Sequence, residues 1–248
     1  SILELTDSAY YPSFRSIFRN VVAAVKEAKE ISKYLKPLEK CLTKLEAVEL
    51  TEAHSLLMSL LHMVCLVWSS CKYYCSSAKV INLLLLISNQ IIDMANKYLD
   101  PTSLFQGEVQ ETIVKVQEVI KLIERFKEMF EESRARVVTL FPEDVEPVPW
   151  LFHSKIVFKR LNAYLNRLKV LNEFFEIAME YSKLEKVEVG GLNGRHLSSK
   201  VAAVFDEFNL AFNVFRSVAY DPVEPEDPSF LQDYKVFKEK VLDYDRRM

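Results

Sequence analysis

The amino-acid sequence predicts an all-α fold: an elongated stack of helical bundles with long antiparallel helices and one short glycine-rich turn or hairpin. Three observations predict it. Glycine is scarce, at four of 248 residues, far below its ordinary share of roughly 7%. Apolar residues recur at three- and four-residue spacings through most of the chain, the signature of a helix face. No alternating apolar–polar run is long enough for a sheet; the Val-Glu-Val at 187–189 is the one strand-like fragment.

The elements follow in order. Residues 13–35 place Phe14, Ile17, Phe18, Val21, Val22, Val25, Ala28, Ile31 and Leu35 on one helix face. Pro37 lacks an N–H and crowds the preceding turn, so a bend or restart is expected there. Thr51 offers an N-cap for a helix running to about Ser70. The polar stretch SSCKYYCSS separates it from a helix over 78–99, which Asp100-Pro101 should stop. Residues 108–136 carry the cleanest pattern. Val109, Ile113, Val116, Ile120 and Ile123 form one stripe that Phe130 extends, and Val119, Leu122, Phe126 and Met129 form a second. One stripe suits a two-stranded coiled coil; two suit a helix among several neighbours in a bundle.

The stretch FPEDVEPVPW, 141–150, holds three of the nine prolines among acidic residues. It reads as a boundary, giving a first helical bundle over 1–140, a proline-rich linker over 141–153 and a second bundle over 154–248. In the second, a helix over 154–183 carries Ile156, Leu161, Leu165, Leu168, Leu171, Phe175 and Ala178. Another runs from about Ser198 to Ser217 with Val201, Val204, Phe205, Phe208, Phe212 and Phe215. The acidic proline loop 220–230 precedes a last helix from near Leu231.

Composition narrows the function. A net charge of −3 and pI near 5.9 give no concentrated basic face of the kind nucleic-acid binders carry. Four cysteines at this length read as reduced thiols in an intracellular setting, not as a disulfide framework. The N-terminal SILELTDSAYYPSF is polar and unlike a signal peptide. The apolar run LLMSLLHMVCLVW, 56–68, is short for a bilayer and reads as a buried helix. The start at Ser1 and the stop inside a charged helical pattern read as a piece of a longer polypeptide.

Candidate chemistry is sparse. Three of the four glycines, Gly190, Gly191 and Gly194, cluster in Gly190-Gly191-Leu192-Asn193-Gly194-Arg195-His196. A phosphate loop needs Gly-x-x-x-x-Gly-Lys-Ser/Thr between a strand and a helix. Here the spacing is short, Arg195 replaces the lysine and His196 the hydroxyl. The alternative is a structural turn: Asn193-Gly194 as a type I′ turn, with Val187–Val189 and Arg195–Leu197 as short arms and Ser198 or Ser199 capping the next helix. His62, Cys65, Cys71 and Cys75 could be read as zinc ligands, but close pairs separated by a loop are usual, and buried free cysteine behaves as a small apolar group. His62 and Cys65 are expected on one buried face with Leu61 and Leu66. No Gly-x-Ser-x-Gly or cysteine-nucleophile signature is present. Glu131-Glu132, Glu143-Asp144 and the series Lys155, Lys159, Arg160 and Arg167 read as solvated surface, and the phenylalanines from 205 to 215 as core. These residues leave a scaffold or assembly element as the class. No catalytic residue, cofactor or metal is expected, and a nucleotide-binding enzyme using 187–199 or an unrelated helical tether stand as alternatives.

Residues 184–248 carry a recognisable order of short motifs: Leu184-Glu185-Lys186, Gly190-Gly191, Glu207-Phe208, Tyr220-Asp221-Pro222 and Asp245-Arg246-Arg247. In this order they resemble the N-terminal tail region of dynein heavy chains. The preceding VFKRLNAYLNRLKVLNEFFEIAMEYSKLEK is similar to the same family, and ISNQIIDMANKYLDPTSLF with KVQEVIKLIERFKEMFEE looks more like the axonemal than the cytoplasmic class. The resemblance implies a non-catalytic piece of a ciliary or flagellar motor, part of the axonemal microtubule cytoskeleton. It implies association with other dynein heavy chains, binding of intermediate and light chains, and attachment through a docking complex to the doublet microtubule. Neither nucleic acid nor membrane is an implied partner. ATP hydrolysis and microtubule gripping would belong to modules further along the parent motor. On this reading Gly190, Gly191, Asn193 and Gly194 make a reversal between tail helices.

Overall fold

The computed structural model describes residues 9–187, 190–191 and 193–248. They form seven helices and no strand among the described residues: α1 (Tyr11–Ala47), α2 (Ala53–Ser70), α3 (Ser77–Leu99), α4 (Val109–Arg136), α5 (Ser154–Ser182), α6 (Gly194–Asn213) and α7 (Ser229–Arg247). Of the strand-like fragment, Glu188 and Val189 lie outside the described residues. Val187 follows a 3-10 turn at Lys183–Lys186. Similar turns close α4 at Val137–Leu140 and α6 at Val214–Ser217, tightening the last carbonyls of each helix into local bonds.

Local chemistry explains most boundaries. α3 ends at Leu99 and Asp100 turns left-handed, with φ 45°. Aspartate tolerates that region, and its carboxylate accepts the Thr102 and Ser103 hydroxyls at 2.7 and 2.6 Å. Pro101 then blocks a return to helix. Three boundaries differ from the sequence reading. α1 does not restart at Pro37 but runs through it, one missing bond being offset by the buried Leu38, Cys41 and Leu45 in the turns that follow. Thr51 sits inside a 3-10 turn at Leu50–Glu52, and α2 begins at Ala53 without a side-chain cap. α6 begins at Gly194, so Ser198 and Ser199 lie within it.

Packing divides the chain into two compact units: Ser1–Ile87 with Phe126–Val157, and Ser88–Arg125 with Phe158–Met248. This division differs from the consecutive bundles 1–140 and 154–248 expected from the proline-rich stretch, because the cuts fall inside α3, α4 and α5. A periodic helix gives no sign along its length of which neighbours it serves.

In the first unit, Leu38, Cys41 and Leu45 of α1 are buried, as are Leu57, Leu60, Leu61 and Val64 of α2. The proline-rich stretch is pinned: the Trp68 indole N–H donates to the Val148 carbonyl at 2.7 Å. Trp150 packs edge-on to Trp68 and stacks on Phe130 at 5.7 Å. Arg134 lies over the Phe130 ring and donates to the Phe152 carbonyl at 2.6 Å.

The second unit is built around an aromatic core. Phe174 of α5 is fully buried. Its ring centre lies 4.6 Å from Phe215, 4.9 Å from Phe237, 5.4 Å from Phe212 and 5.5 Å from Phe105. The Tyr164 hydroxyl donates to Asn96 Oδ1 at 2.7 Å, tying α5 to α3. The helices Leu50–Ser70 and Ser77–Leu99 are long and apolar enough to cross a membrane by length and composition, longer than the thirteen-residue run suggested. About half of each (44% and 50% of the most apolar window) is buried inside the fold, as core helices are.

Candidate functional site

Of the glycine cluster, Gly190 and Gly191 precede α6 and Gly194 opens it. Gly191 has φ +96°, a conformation L side chains resist. The Gly194 N–H donates to the Gly191 carbonyl at 3.0 Å. Asn193 has φ −98° and precedes α6, so Asn193-Gly194 is not a type I′ turn, which needs positive φ at both positions. Arg195, His196 and Leu197 belong to the first turn of α6 and are not a strand arm. Gly190 is exposed, and a Cβ built on it would meet nothing within 4 Å among the described residues. Leu192 lies outside the described residues. Ahead of the cluster stands α5 and its 3-10 turn, where a phosphate loop would have a buried strand.

The four sulfur and imidazole candidates do not converge. Cys65 is buried and its thiol reaches the Ser133 carbonyl at 3.9 Å. Burial pushes that thiol up to about 11. His62 is exposed, and Leu66 is 37% exposed, which corrects the expectation of one shared buried face. Among the described residues no group of three or more His, Cys, Asp or Glu is placed to hold a metal.

Several motif residues of the last third are held by bonds within the second unit. Glu207 of α6 takes both terminal nitrogens of Arg247 of α7, at 2.6 and 2.8 Å. Phe208 stacks on Tyr181 of α5 at 4.4 Å, and the Tyr181 hydroxyl donates to Asp245 at 2.7 Å. In the Tyr220-Asp221-Pro222 loop, Tyr220 donates to Asp233 at 2.7 Å and Asp221 accepts the Val223 N–H at 2.9 Å. The Pro222 carbonyl accepts from Arg167 Nη1 at 3.1 Å and the Asp227 carbonyl from Nη2 at 2.7 Å. Arg167 is 3% exposed, a correction to its reading as solvated surface. Burial draws its pKa down, while Asp227, Glu224 and Asp221 pull it back up. Lys155, Lys159 and Arg160 are exposed as expected. The signal for Arg167 was its phase: it falls between Leu165 and Leu168 on an apolar face. Glu207, Tyr181, Arg167 and Asp245 thus tie α5, α6, α7 and the proline loop together.

Comparison with known proteins assigns this arrangement. A family model described as dynein heavy chain, N-terminal region 1, matches residues 1–248. The chain belongs to this dynein heavy chain family. It is 38% identical over 247 residues to the ciliary dynein beta chain of Heliocidaris crassispina. It is 34% identical over 250 residues to human dynein axonemal heavy chain 17, and 33% identical over 248 residues to the beta chain of the flagellar outer arm of Chlamydomonas reinhardtii. Each match takes in 100% of the chain and only 5–6% of the relative. The resemblance carried by the motifs therefore holds over the whole chain, including residues before 150. This dynein region belongs with ciliary, flagellar and axonemal heavy chains.

A groove and an apolar stripe lie open among the described residues. A groove of about 740 Å³ runs between α4, α5 and α7 of the second unit, lined by Ile113, Val114, Ile177, Tyr181, Val241 and the carboxylates Glu173, Glu176, Glu180 and Asp245. On α1, Ile17, Phe18, Val21, Val22 and Val25 are 63, 56, 54, 50 and 47% exposed. The sequence reads this stripe as an apolar face; the structure leaves it uncovered.

Proposed function

We propose that the chain is a tail segment of an outer-arm axonemal dynein heavy chain of the beta type, a non-catalytic element that joins heavy chains, carries intermediate and light chains and takes part in docking the motor to the doublet microtubule. One observation carries this reading. Identity is 38% to a chain named ciliary dynein beta and 33% to one named flagellar outer-arm beta, against 24% to the inner-arm I1 beta heavy chain of Chlamydomonas. The role is mechanical: rigid helices pass load and exposed faces meet companion subunits. The glycine cluster Gly190, Gly191, Asn193 and Gly194 acts as a structural turn, and no cofactor or metal takes part. ATP hydrolysis belongs to modules of the parent motor outside these residues.

The test is cross-linking with mass spectrometry on demembranated axonemes, reading the exposed Lys200 and Lys240. Links to intermediate chains or to the tail of a neighbouring heavy chain are expected. Links confined to ring or stalk regions of the motor would overturn the reading.

A further inference from the structure

The α4–α5–α7 groove of the second unit joins apolar lining to negative charge. Ile113 of α4 and Val241 of α7 are buried, Ile177 of α5 is half-buried, and Val114 of α4 is 46% exposed. Glu173, Glu176 and Glu180 recur on α5 at spacings of three and four, so they share one face of that helix over about 10 Å. Asp245 of α7 also lines the groove, and among the described residues no lysine or arginine does. Glu173 is held by Lys238 at 2.5 Å and Glu180 by Lys183 at 2.6 Å. Glu176 accepts only amides, from Asn172 at 2.7 Å and Gln117 at 3.5 Å. Asp245 accepts the Tyr181 hydroxyl at 2.7 Å. Both carboxylates are exposed, and neither is paired with a cation among the described residues.

The two unpaired carboxylates select what can cover this groove. An acidic helix or an anionic lipid surface would bring like charges together. A neutral apolar helix would bury Glu176 and Asp245 without a counter-charge. A helix with an apolar face and lysines or arginines at its edges covers the lining and pairs the carboxylates. We infer that the groove seats a cationic amphipathic helix of a companion subunit, with its apolar face over Ile177 and Val241 and its cations against Glu176 and Asp245. Docking by apolar residues one and two turns apart along a helix is a recurring recognition mode, and the opposite charges select register and orientation. The inference rests on the reading that this region carries companion subunits, and it names the surface and the partner chemistry.

Carbodiimide coupling on demembranated axonemes joins a carboxylate to a lysine that touches it, with loss of water and no added spacer. Glu176 or Asp245 should be joined to a lysine of a companion subunit that stands among apolar residues at three- and four-residue spacings. Coupling only within this chain, coupling to a second copy of it, or no coupling at either carboxylate would overturn the inference. The links expected at Lys200 and Lys240 would still stand in that case, so this inference and the broader reading fail separately. In solution, the 248-residue chain should bind a synthetic helix of about 18 residues, leucine on one face and lysine at its edges, with Kd below roughly 100 μM by fluorescence anisotropy. The same helix with glutamate in place of lysine should bind about tenfold more weakly or not at all. Glu176→Lys and Val114→Asp should each weaken the lysine helix about tenfold or more, and Glu176→Lys should gain affinity for the glutamate helix. Both positions are exposed, and circular dichroism verifies that the variants fold. No binding, equal binding of the two helices, or binding of the lysine helix indifferent to both variants would overturn the inference.

Discussion

Arg167 reaches out of α5 to hold the Asp227 carbonyl at 2.7 Å, and with the same fork the Pro222 carbonyl at 3.1 Å. The buried guanidinium thereby fixes the acidic proline loop ahead of α7, while Asp227 accepts the Ser229 N–H at 2.9 Å as the helix begins. Arg167→Ala leaves two carbonyls without their donors. It should destabilise the chain by about 2–4 kcal/mol. Arg167→Lys should recover only part of the loss, since one ammonium cannot reproduce the fork. Chemical denaturation gives the comparison. Equal stability of wild type and Arg167→Ala would remove the clamp from the account.

Phe174 and Phe18 test where the core lies. Phe174 is enclosed by other rings and fully buried; Phe18 is 56% exposed. Phe174→Ala should cost about 3–5 kcal/mol. Phe18→Ala, with the chain dilute enough to be monomeric, should stay within about 0.5 kcal/mol. Urea midpoints measure both. The reverse order would mean that the helix pairing is wrong.

The glycine turn makes a paired prediction. Gly191 has φ +96°, and a Cβ built on Gly190 meets nothing within 4 Å among the described residues. Gly191→Ala should cost about 1–2 kcal/mol from backbone strain, while Gly190→Ala should be neutral or stabilise by up to about 1 kcal/mol by reducing unfolded-state entropy. Thermal melts of the two variants give the answer. If both alanines were silent for stability yet one altered affinity for a nucleotide, the structural-turn reading would fail.

These elements also mark what was legible in the sequence. Both stripes of α4 are buried at Ile113, Val116, Val119, Leu122, Ile123, Phe126, Met129 and Phe130, because period and width of an apolar face are local properties of a helix. The Asp100-Pro101 stop was legible for the same reason. Periodicity does not say whether a face has a partner. The stripe on α1 is as regular as that on α4 and lies open, and Ile156 was expected inside but is 54% exposed. Arg167 was misread because a charge pattern along one helix cannot show the two carbonyls that meet it from a loop 55 and 60 residues away. The motifs of the last third announced the family; that Glu207 would pair with Arg247 and Tyr181 with Asp245 required the fold.

Alkaline pH should weaken the fold. Burial raises the Cys65 thiol to about 11, with Arg136 and Ser133 opposing. Burial also raises the Tyr164 hydroxyl, with Asp221 and Glu224 adding to it. In both, the folded state holds its proton more tightly than the unfolded state. Their stabilisation is whole below the unfolded values, roughly 8.5 for a thiol and 10 for a phenol, and is lost as pH rises through the folded values. For Cys65 the window runs from about pH 8.5 to about 11, and the loss approaches about 3 kcal/mol. Denaturant midpoints across that window should fall, and more gently in Cys65→Val. Midpoints that rise with pH would contradict the burial of these groups.

The central claim is that this chain is an assembling, non-catalytic element at the tail of an axonemal dynein heavy chain. A density map of the intact outer arm on its doublet, fine enough to trace helices, tests it most directly. The account predicts α1–α7 within the tail, with the α1 stripe and the α4–α5–α7 groove covered by other polypeptide. Finding these helices inside the nucleotide-binding ring, or both surfaces bare to solvent in the assembled arm, would contradict it.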